Sequence, residues 1–255
     1  MMNEDGKFMD KQLIKVVVLA AGKGTRLQTD DNDAPKVMRL ACGKPLLEYV
    51  LDALPVTQKE DIIIVVGYGK DQVIKYFDGY EFAEQKEQLG TGHAVMAAKA
   101  QLLGFKGAVM VCYGDMPAIK KETYAQLLNT HFEQNNVCTI LTGETTLDLA
   151  FGRIIRDENG DFVCVVEDRD CTPEQAQITE VNTGVYVFDS VQLLDTLDKL
   201  KNDNAQGEYY LTDVPEIMRE SGAKIGLLKR NLGDEILGVN TPEQLQQVER
   251  ILSNS

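Results

Sequence analysis

Residues 14–19, apolar except for Lys15, form a run rich in β-branched side chains, the pattern of a strand buried on both faces of a parallel sheet. The pattern recurs at 61–66 and 108–112, and more weakly at 80–85. Between these runs the apolar spacing becomes helical. Leu46, Leu47, Val50, Leu51 and Leu54 share one face of a helix over 45–54, residues 71–77 suit a short helix, and 90–103 a longer one rich in small residues. Strand and helix thus alternate, as in a doubly wound parallel sheet, whose ligands gather at the carboxyl ends of the strands.

After a helix over 120–134 the texture changes. Residues 137–143, 153–156, 162–167 and 180–188 read as strands separated by turns such as Asn159-Gly160, so a mixed or antiparallel portion carries the second half. A helix follows at 191–200. Asp213, with Glu216 three residues on and Pro215 in the first turn, predicts a capped helix start. Residues 224–228 are strand-like, and Thr241-Pro242-Glu243 opens an amphipathic helix reaching 252 with Thr241 as N-cap. The expected fold is α/β: a doubly wound, Rossmann-like, mixed and mainly parallel sheet with a smaller β-rich portion.

Length supports one main domain: 255 residues can bury one large core. We expect a loose tail over 1–12 and a domain over 13–255, divided into halves at 135/136. The tail has no signal-peptide core, and no apolar run approaches the roughly 20 residues of a membrane span, so the chain reads as cytoplasmic with no membrane partner. A net charge of -14 argues against a nucleic-acid partner, whose sequence-independent binding needs excess Lys and Arg. Cysteines 42, 112, 138, 164 and 171 form no Cys-x-x-Cys pair, and three of them (112, 138, 164) lie in apolar strand-like runs, which favours reduced core thiols. His93 and His131, the only two histidines, cannot assemble a transition-metal site.

Candidate chemistry begins where the first strand ends. Leu19-Ala20-Ala21-Gly22-Lys23-Gly24-Thr25-Arg26-Leu27 carries two glycines that let main-chain N–H groups approach an anion, and Arg26 and Lys36 add cations, so a polyphosphate is the natural guest. The loop lacks the ending of a Walker A motif and the third glycine of a dinucleotide fingerprint. Further on, the amide of Gln85 or Gln88 offers a donor and an acceptor that match a pyrimidine edge, and Gly90-Thr91 open a helix whose N–H groups favour anions. Asp115 follows a buried strand in Tyr113-Gly114-Asp115-Met116-Pro117 and suits Mg²⁺, which takes one or two protein oxygens plus phosphates and waters. Asn240 lies at a second strand-to-helix junction, where it can supply a neutral oxygen or cap the helix. Phe151-Gly152-Arg153, Val166-Glu167, Asn182-Thr183-Gly184 and residues 204–213 offer the mixed donors and acceptors that a sugar needs.

The order of these fragments over residues 16–240 closely resembles the uridylyltransferase domains of the bacterial bifunctional N-acetylglucosamine-1-phosphate uridylyltransferase/glucosamine-1-phosphate acetyltransferases, within the sugar-1-phosphate nucleotidyltransferases. The resemblance implies a GT-A-like fold with a β-rich sugar-binding half. It implies that Leu19, Ala20, Ala21, Gly22, Gly24, Gln85, Gly90 and Thr91 hold the uridine nucleotide, with Tyr113 and Gly114 lining the site. Arg26 and Lys36 would neutralise phosphates and, with Asp115, carry catalysis; Asp115 and Asn240 would bind Mg²⁺. Gly152, Glu167 and Asn182 would hold the sugar. The implied reaction joins UTP to N-acetylglucosamine 1-phosphate, giving UDP-N-acetylglucosamine, a cell-wall precursor, and pyrophosphate. The alternatives left open are another sugar or small phosphate as substrate, or a non-catalytic nucleotide-sugar-binding regulatory module. Self-association beyond a weak homo-oligomer is not implied. Two departures stand out: no hexapeptide repeat of an acetyltransferase β-helix is found, so acetyl-CoA is not expected as a substrate, and residues 28–34 place Asp30, Asp31 and Asp33 beside the phosphate loop.

Overall fold

A computed structural model describes residues 13–24, 27, 34–56, 58–145 and 150–253. The proposed tail, Arg26 and Asp30, Asp31 and Asp33 lie outside the described residues. In the first half, β1 (Ile14–Ala20) leads through a short hairpin, β2 (Leu40–Ala41) and β3 (Lys44–Pro45), into α1 (Leu46–Ala53). Then come β4 (Ile62–Val66), α2 (Lys70–Tyr76), β5 (Glu81–Glu84), α3 (Thr91–Ala97), α4 (Lys99–Leu102) and β6 (Ala108–Tyr113). The second half comprises α5 (Lys121–Glu133), β7 (Cys138–Glu144), β8 (Arg153–Arg156), β9 (Phe162–Val166), β10 (Glu180–Asp189), α6 (Ser190–Leu197), α7 (Asp213–Glu220), β11 (Ile225–Arg230) and α8 (Pro242–Leu252).

Among the described residues one nine-stranded sheet holds strands of both halves, in the order β11-β7-β10-β6-β1-β4-β5, with β8 joined to β10 and β9 off that path. β1 is central and pairs in parallel with β4 and β6, while β5 extends the parallel set. β10 runs antiparallel to both β6 and β7, which makes the sheet mixed but mainly parallel, as its sequence pattern predicts. Alternation along the strands divides the core into two faces. Val16, Val18, Ile62 and Ile64 pack toward α1 and α5, whereas Val17, Leu19, Ile63 and Val65 pack toward α3, α4, α6 and α7. A third cluster, Leu27, Ala41, Leu46, Leu237, Val239 and Val248, joins α8 to the hairpin and α1.

Three local differences from expectation have physical reasons. The helix predicted over 90–103 is two helices separated at Ala98 (φ -85°, ψ 2°), a break invisible to periodicity because Ala98 and its neighbours are all good helix formers. The β2–β3 hairpin is too short to show a period and turns through Cys42 and Gly43, both at positive φ. β10 shifts register against β7 between Asn182 and Tyr186, with Gly184 inside the shift at φ +78°. Thr241 caps α8 as expected, in a reciprocal capping box with Gln244. All five cysteines are free; Cys112 and Cys138 are buried, but Cys164 is half-buried rather than part of the core. No helix among the described residues is long and apolar enough to cross a membrane.

Candidate active site

At the carboxyl ends of β1 and β6 opens a cavity of about 420 Å³, bounded by the end of β1 and its loop, the start of α3, the bulge of β10 and the segment before α8. Its floor is small by design. Gly114 donates its N–H to the Leu19 carbonyl at 3.0 Å, and a side chain there would press within 3.1 Å of Leu47 and Val37. Gly67, just after β4, lies so near Ala21 that a Cβ would come within 2.8 Å of its carbonyl oxygen. Leu19, Ala20, Ala21 and Gly22 line the cavity on this side.

Lys36 closes this end. Gly24 (φ +65°) lets it approach, since a Cβ on that glycine would fall 2.6 Å from the Lys36 Cβ. The Lys36 ammonium forms an ion pair with Asp115 and donates to Asn240 Oδ1 at 2.6 Å. Asp115 is carried by the turn after β6, and its carbonyl accepts the Val239 N–H at 3.0 Å, which brings Asn240 alongside. Asn240 is in turn tied by its own N–H to Gln244 Oε1 (2.7 Å) in the α8 cap. Two side-chain oxygens from distant segments thus converge on one cation, the Lys36 ammonium. No group of three or more His, Cys, Asp or Glu among the described residues forms a metal cage. An anionic and a neutral oxygen fit Mg²⁺, whose remaining positions go to phosphate and water.

At a second corner, Gln85 is only 4% exposed, yet it lines the cavity. Its backbone N–H bonds to Val66 at the end of β4 (2.8 Å), and its side-chain Nε2 donates to the Gly90 carbonyl at 3.0 Å and lies 3.1 Å from His93 Nδ1. Gly90 (φ +108°) is obligatory: a Cβ would sit 2.6 Å from the Tyr209 carbonyl oxygen. That carbonyl accepts the Gly92 N–H (2.7 Å), and Thr91 Oγ1 accepts the Leu211 N–H (3.0 Å), so residues 209–211 are strapped across the start of α3.

The third corner is acidic. Glu167 follows β9 and is largely buried, and burial pushes its carboxyl up from the ordinary range. The Thr212 hydroxyl opposes that shift by donating to Oε1 at 2.9 Å, while the charges of Asp170, Asp168 and Glu208 reinforce it. Asp213 is pushed up to about 6, first by burial and then by Glu216, Glu167 and Asp170. The Asn182 Nδ2 donates to Tyr186 at 2.7 Å, its Oδ1 accepts the Gly184 N–H at 3.1 Å, and its backbone N–H binds the Gly152 carbonyl at 2.8 Å. Gly184 allows the Tyr113 ring to lie against the bulge, where a Cβ would overlap it at 1.9 Å. Burial, with the charges of Glu167 and Asp115, pushes the Tyr113 hydroxyl up, so it stays protonated. Gly152 similarly keeps room beside Val165, 2.7 Å from its would-be Cβ.

One cavity therefore collects Leu19 to Gly22, Lys36, Gln85, Gly90, Thr91, Tyr113, Asp115, Gly152, Glu167, Asn182 and Asn240. Gly24 and Gly114 do not line it; they make room for residues that do. Arg26 lies outside the described residues. Glu208, Thr183 and Gly184 line the cavity as well, and Gln88 joins Gln85 there. The sequence signal for Thr183, Gly184 and Glu208 is membership of the motifs Asn-Thr-Gly and Asn-Ala-Gln-Gly-Glu-Tyr-Tyr, whereas the amide of Gln88 is itself a candidate for the base edge. The helix start also differs from expectation. Thr212, not Asp213, is the residue before α7, and its hydroxyl serves Glu167 instead of capping.

The family model of the MobA-like NTP transferase domain matches residues 16–213. The bifunctional protein GlmU of Lactobacillus delbrueckii subsp. bulgaricus is 45% identical over 238 residues, covering 93% of this chain and 51% of that protein. The GlmU of Clostridium novyi is likewise 45% identical, covering 92% and 51%, and that of Caldanaerobacter subterraneus subsp. tengcongensis is 41% identical over 237 residues, covering 92% and 51%. The chain spans about half the length of these relatives. A crystal structure from Bacillus anthracis, named as a glucose-1-phosphate thymidylyltransferase, superposes with a TM-score of 0.74 at 18% identity, covering 95% of this chain and 96% of that one, which shows the shared fold. The chain belongs to the MobA-like NTP transferase domain family and is a nucleotidyltransferase.

Proposed function

We propose that this nucleotidyltransferase joins UTP to N-acetylglucosamine 1-phosphate, releasing pyrophosphate and forming UDP-N-acetylglucosamine. The observation that carries the reading is the arrangement within one cavity of a main-chain phosphate loop with Lys36, a converging Asp115–Asn240 oxygen pair, and a Glu167–Asn182–Gly152 corner. The likeness to bifunctional GlmU proteins over their matched half supports the same substrates.

Asp115 and Asn240 would hold a divalent cation, read here as Mg²⁺, which when bound neutralises phosphate charge. Lys36 then turns from Asp115 and Asn240 to the phosphates, adding formal positive charge where the transition state develops negative charge. The N–H groups of Ala21 and Gly22, just beyond β1, act as fixed dipoles on the triphosphate. Gln85 reads the base. Glu167 accepts from sugar hydroxyls, and Asn182 and the Gly152 main chain hold the rest of the ring. With both substrates aligned, a phosphate oxygen of the sugar phosphate attacks the α-phosphorus and pyrophosphate leaves from the opposite side. No residue need be covalently modified, so catalysis is positioning and charge neutralisation. Arg26 is assigned to the phosphates by the sequence resemblance alone. On this reading the sugar-binding half begins near residue 136, and acetyl-CoA has no role at this site.

The test is pyrophosphate release from each of four NTPs against a panel of sugar 1-phosphates with Mg²⁺. UTP with N-acetylglucosamine 1-phosphate is expected to give the highest kcat/KM. A higher value for any other pair, such as TTP with glucose 1-phosphate, overturns the substrate assignment.

A further inference from the structure

We propose that His93, which does not line the cavity, is a positioning residue that locks the Gln85 amide with its oxygen toward the nucleobase, so that the site accepts a uracil ring N–H and refuses cytosine. The inference rests on the proposed uridine site and adds the residue that decides its selectivity.

The geometry leaves one solution for the amide. The Gly90 carbonyl can only accept, so the Gln85 atom 3.0 Å from it is the amino group, not the oxygen. The same nitrogen lies 3.1 Å from His93 Nδ1. A nitrogen facing an N–H donor must offer a lone pair, so His93 Nδ1 is unprotonated and the ring proton sits on Nε2. Both amino hydrogens of Gln85 are then used. Its carbonyl oxygen bonds to no described protein group and is not among the sealed, unsatisfied side-chain atoms, so it is the polar atom Gln85 offers to the cavity it lines.

A flipped amide would set its oxygen against two acceptors, Gly90 O and His93 Nδ1, and lose two hydrogen bonds. Both acceptors are held in place. Gly90 takes the φ of +108° that only glycine adopts freely, and the adjacent Gly92 N–H is tied to the Tyr209 carbonyl. The Tyr209 ring lies beside the imidazole, with centroids 6.3 Å apart and planes at 32°. Uracil and cytosine have nearly the same size and differ on this edge: uracil N3 carries a hydrogen, whereas cytosine N3 is a bare acceptor. An amide oxygen fixed toward that edge bonds to the first and repels the second. With His93 gone, only Gly90 opposes the flip, and a flipped amide would present its amino group to cytosine N3.

The test measures kcat/KM for UTP and for CTP, with N-acetylglucosamine 1-phosphate held constant, in the wild type, His93→Leu and His93→Asn. It is paired with ¹⁵N NMR of the wild-type imidazole, which reports the tautomer without substrate. His93→Leu is expected to lower the UTP-to-CTP ratio about tenfold, the worth of one well-placed hydrogen bond. His93→Asn, whose Oδ1 can accept in place of Nδ1, is expected to retain most of the ratio. The NMR spectrum should show a proton on Nε2 and none on Nδ1. An unchanged ratio in a folded His93→Leu protein, or a wild-type ring carrying its proton on Nδ1, overturns the lock. A wild type that uses CTP as readily as UTP overturns the uridine reading itself, and the tautomer then judges the His93–Gln85 contact independently.

Discussion

One end of the cavity is lined by Leu19 to Gly22, Lys36, Asp115 and Asn240, and the other by the side chains of Glu167, Asn182 and Glu208, with Asp170 and Asp213 close behind; in the proposed function these are the phosphate end and the sugar end. A phosphate is a diffuse, strongly charged anion, and backbone dipoles with a cation suffice to hold it. A sugar is neutral and directional, so it needs individually aimed donors and acceptors. In the proposed function the same contrast orients the substrate: the phosphate of a sugar phosphate is drawn to Lys36 and repelled by the carboxylates of Glu167, Asp170 and Glu208. The cost is local. Burial and mutual repulsion push Glu167 and Asp213 toward their neutral forms, and the Thr212 hydroxyl offsets part of this for Glu167.

The largest blow to this division should come from Asp115→Ala. If the phosphate end supplies charge neutralisation, kcat falls about a hundredfold or more, because a lost metal anchor removes several kcal/mol of transition-state stabilisation. The circular dichroism melt should stay close to that of the wild type. Near-normal turnover with unchanged Mg²⁺ dependence would remove Asp115 from the chemistry.

A smaller and different effect is expected from Thr212→Val, which deletes the hydroxyl bound to Glu167 and leaves the shape. Losing one hydrogen bond to a buried carboxylate should raise the KM for the sugar phosphate about tenfold and affect the KM for UTP far less. Equal rises in both Michaelis constants would mean that the two ends are not separable.

The smallest effect concerns stability. Folding raises the Asp213 pKa from 3.8 to about 6, so the folded state binds its proton more tightly than the unfolded chain does. The stability from this group is full below about 3.8 and is lost as the pH rises through about 6. Asp213→Asn cannot ionise, so it should melt above the wild type at pH 8, and the gap should close as the pH is lowered toward 4. A gap independent of pH would show that the Asp213 charge is not the cause.

These two ends were unequally legible. Gly22 and Asp115 lie two residues beyond the buried parallel strands β1 and β6, and Gln85 directly follows the parallel edge strand β5; in such a sheet the residues after a strand are delivered to the ligand side. The sugar end offers no such rule. Glu167 follows the antiparallel β9, Asn182 lies in a register shift of β10, and Glu208 arrives on a segment without regular structure. Thr212 reads as an ordinary residue before a helix, and only its contact with Glu167 reveals why Asp213 is not the cap. His93 gives no signal of its own, since its meaning lies in the lone pair it turns to Gln85.

What the amino-acid order determined by itself is burial and its period: which runs are strands with two apolar faces, which helices have one, and where glycine frees the backbone. Those properties depend on neighbours within a turn or a pleat. Tertiary structure alone decided the partners. Lys36 meets Asn240 across 204 positions, Thr212 meets Glu167 across 45, and the glycine at 184 is justified by the ring of Tyr113. A polar side chain is satisfied by whichever group the folded sheet brings within about 3 Å, and no local pattern records that distance.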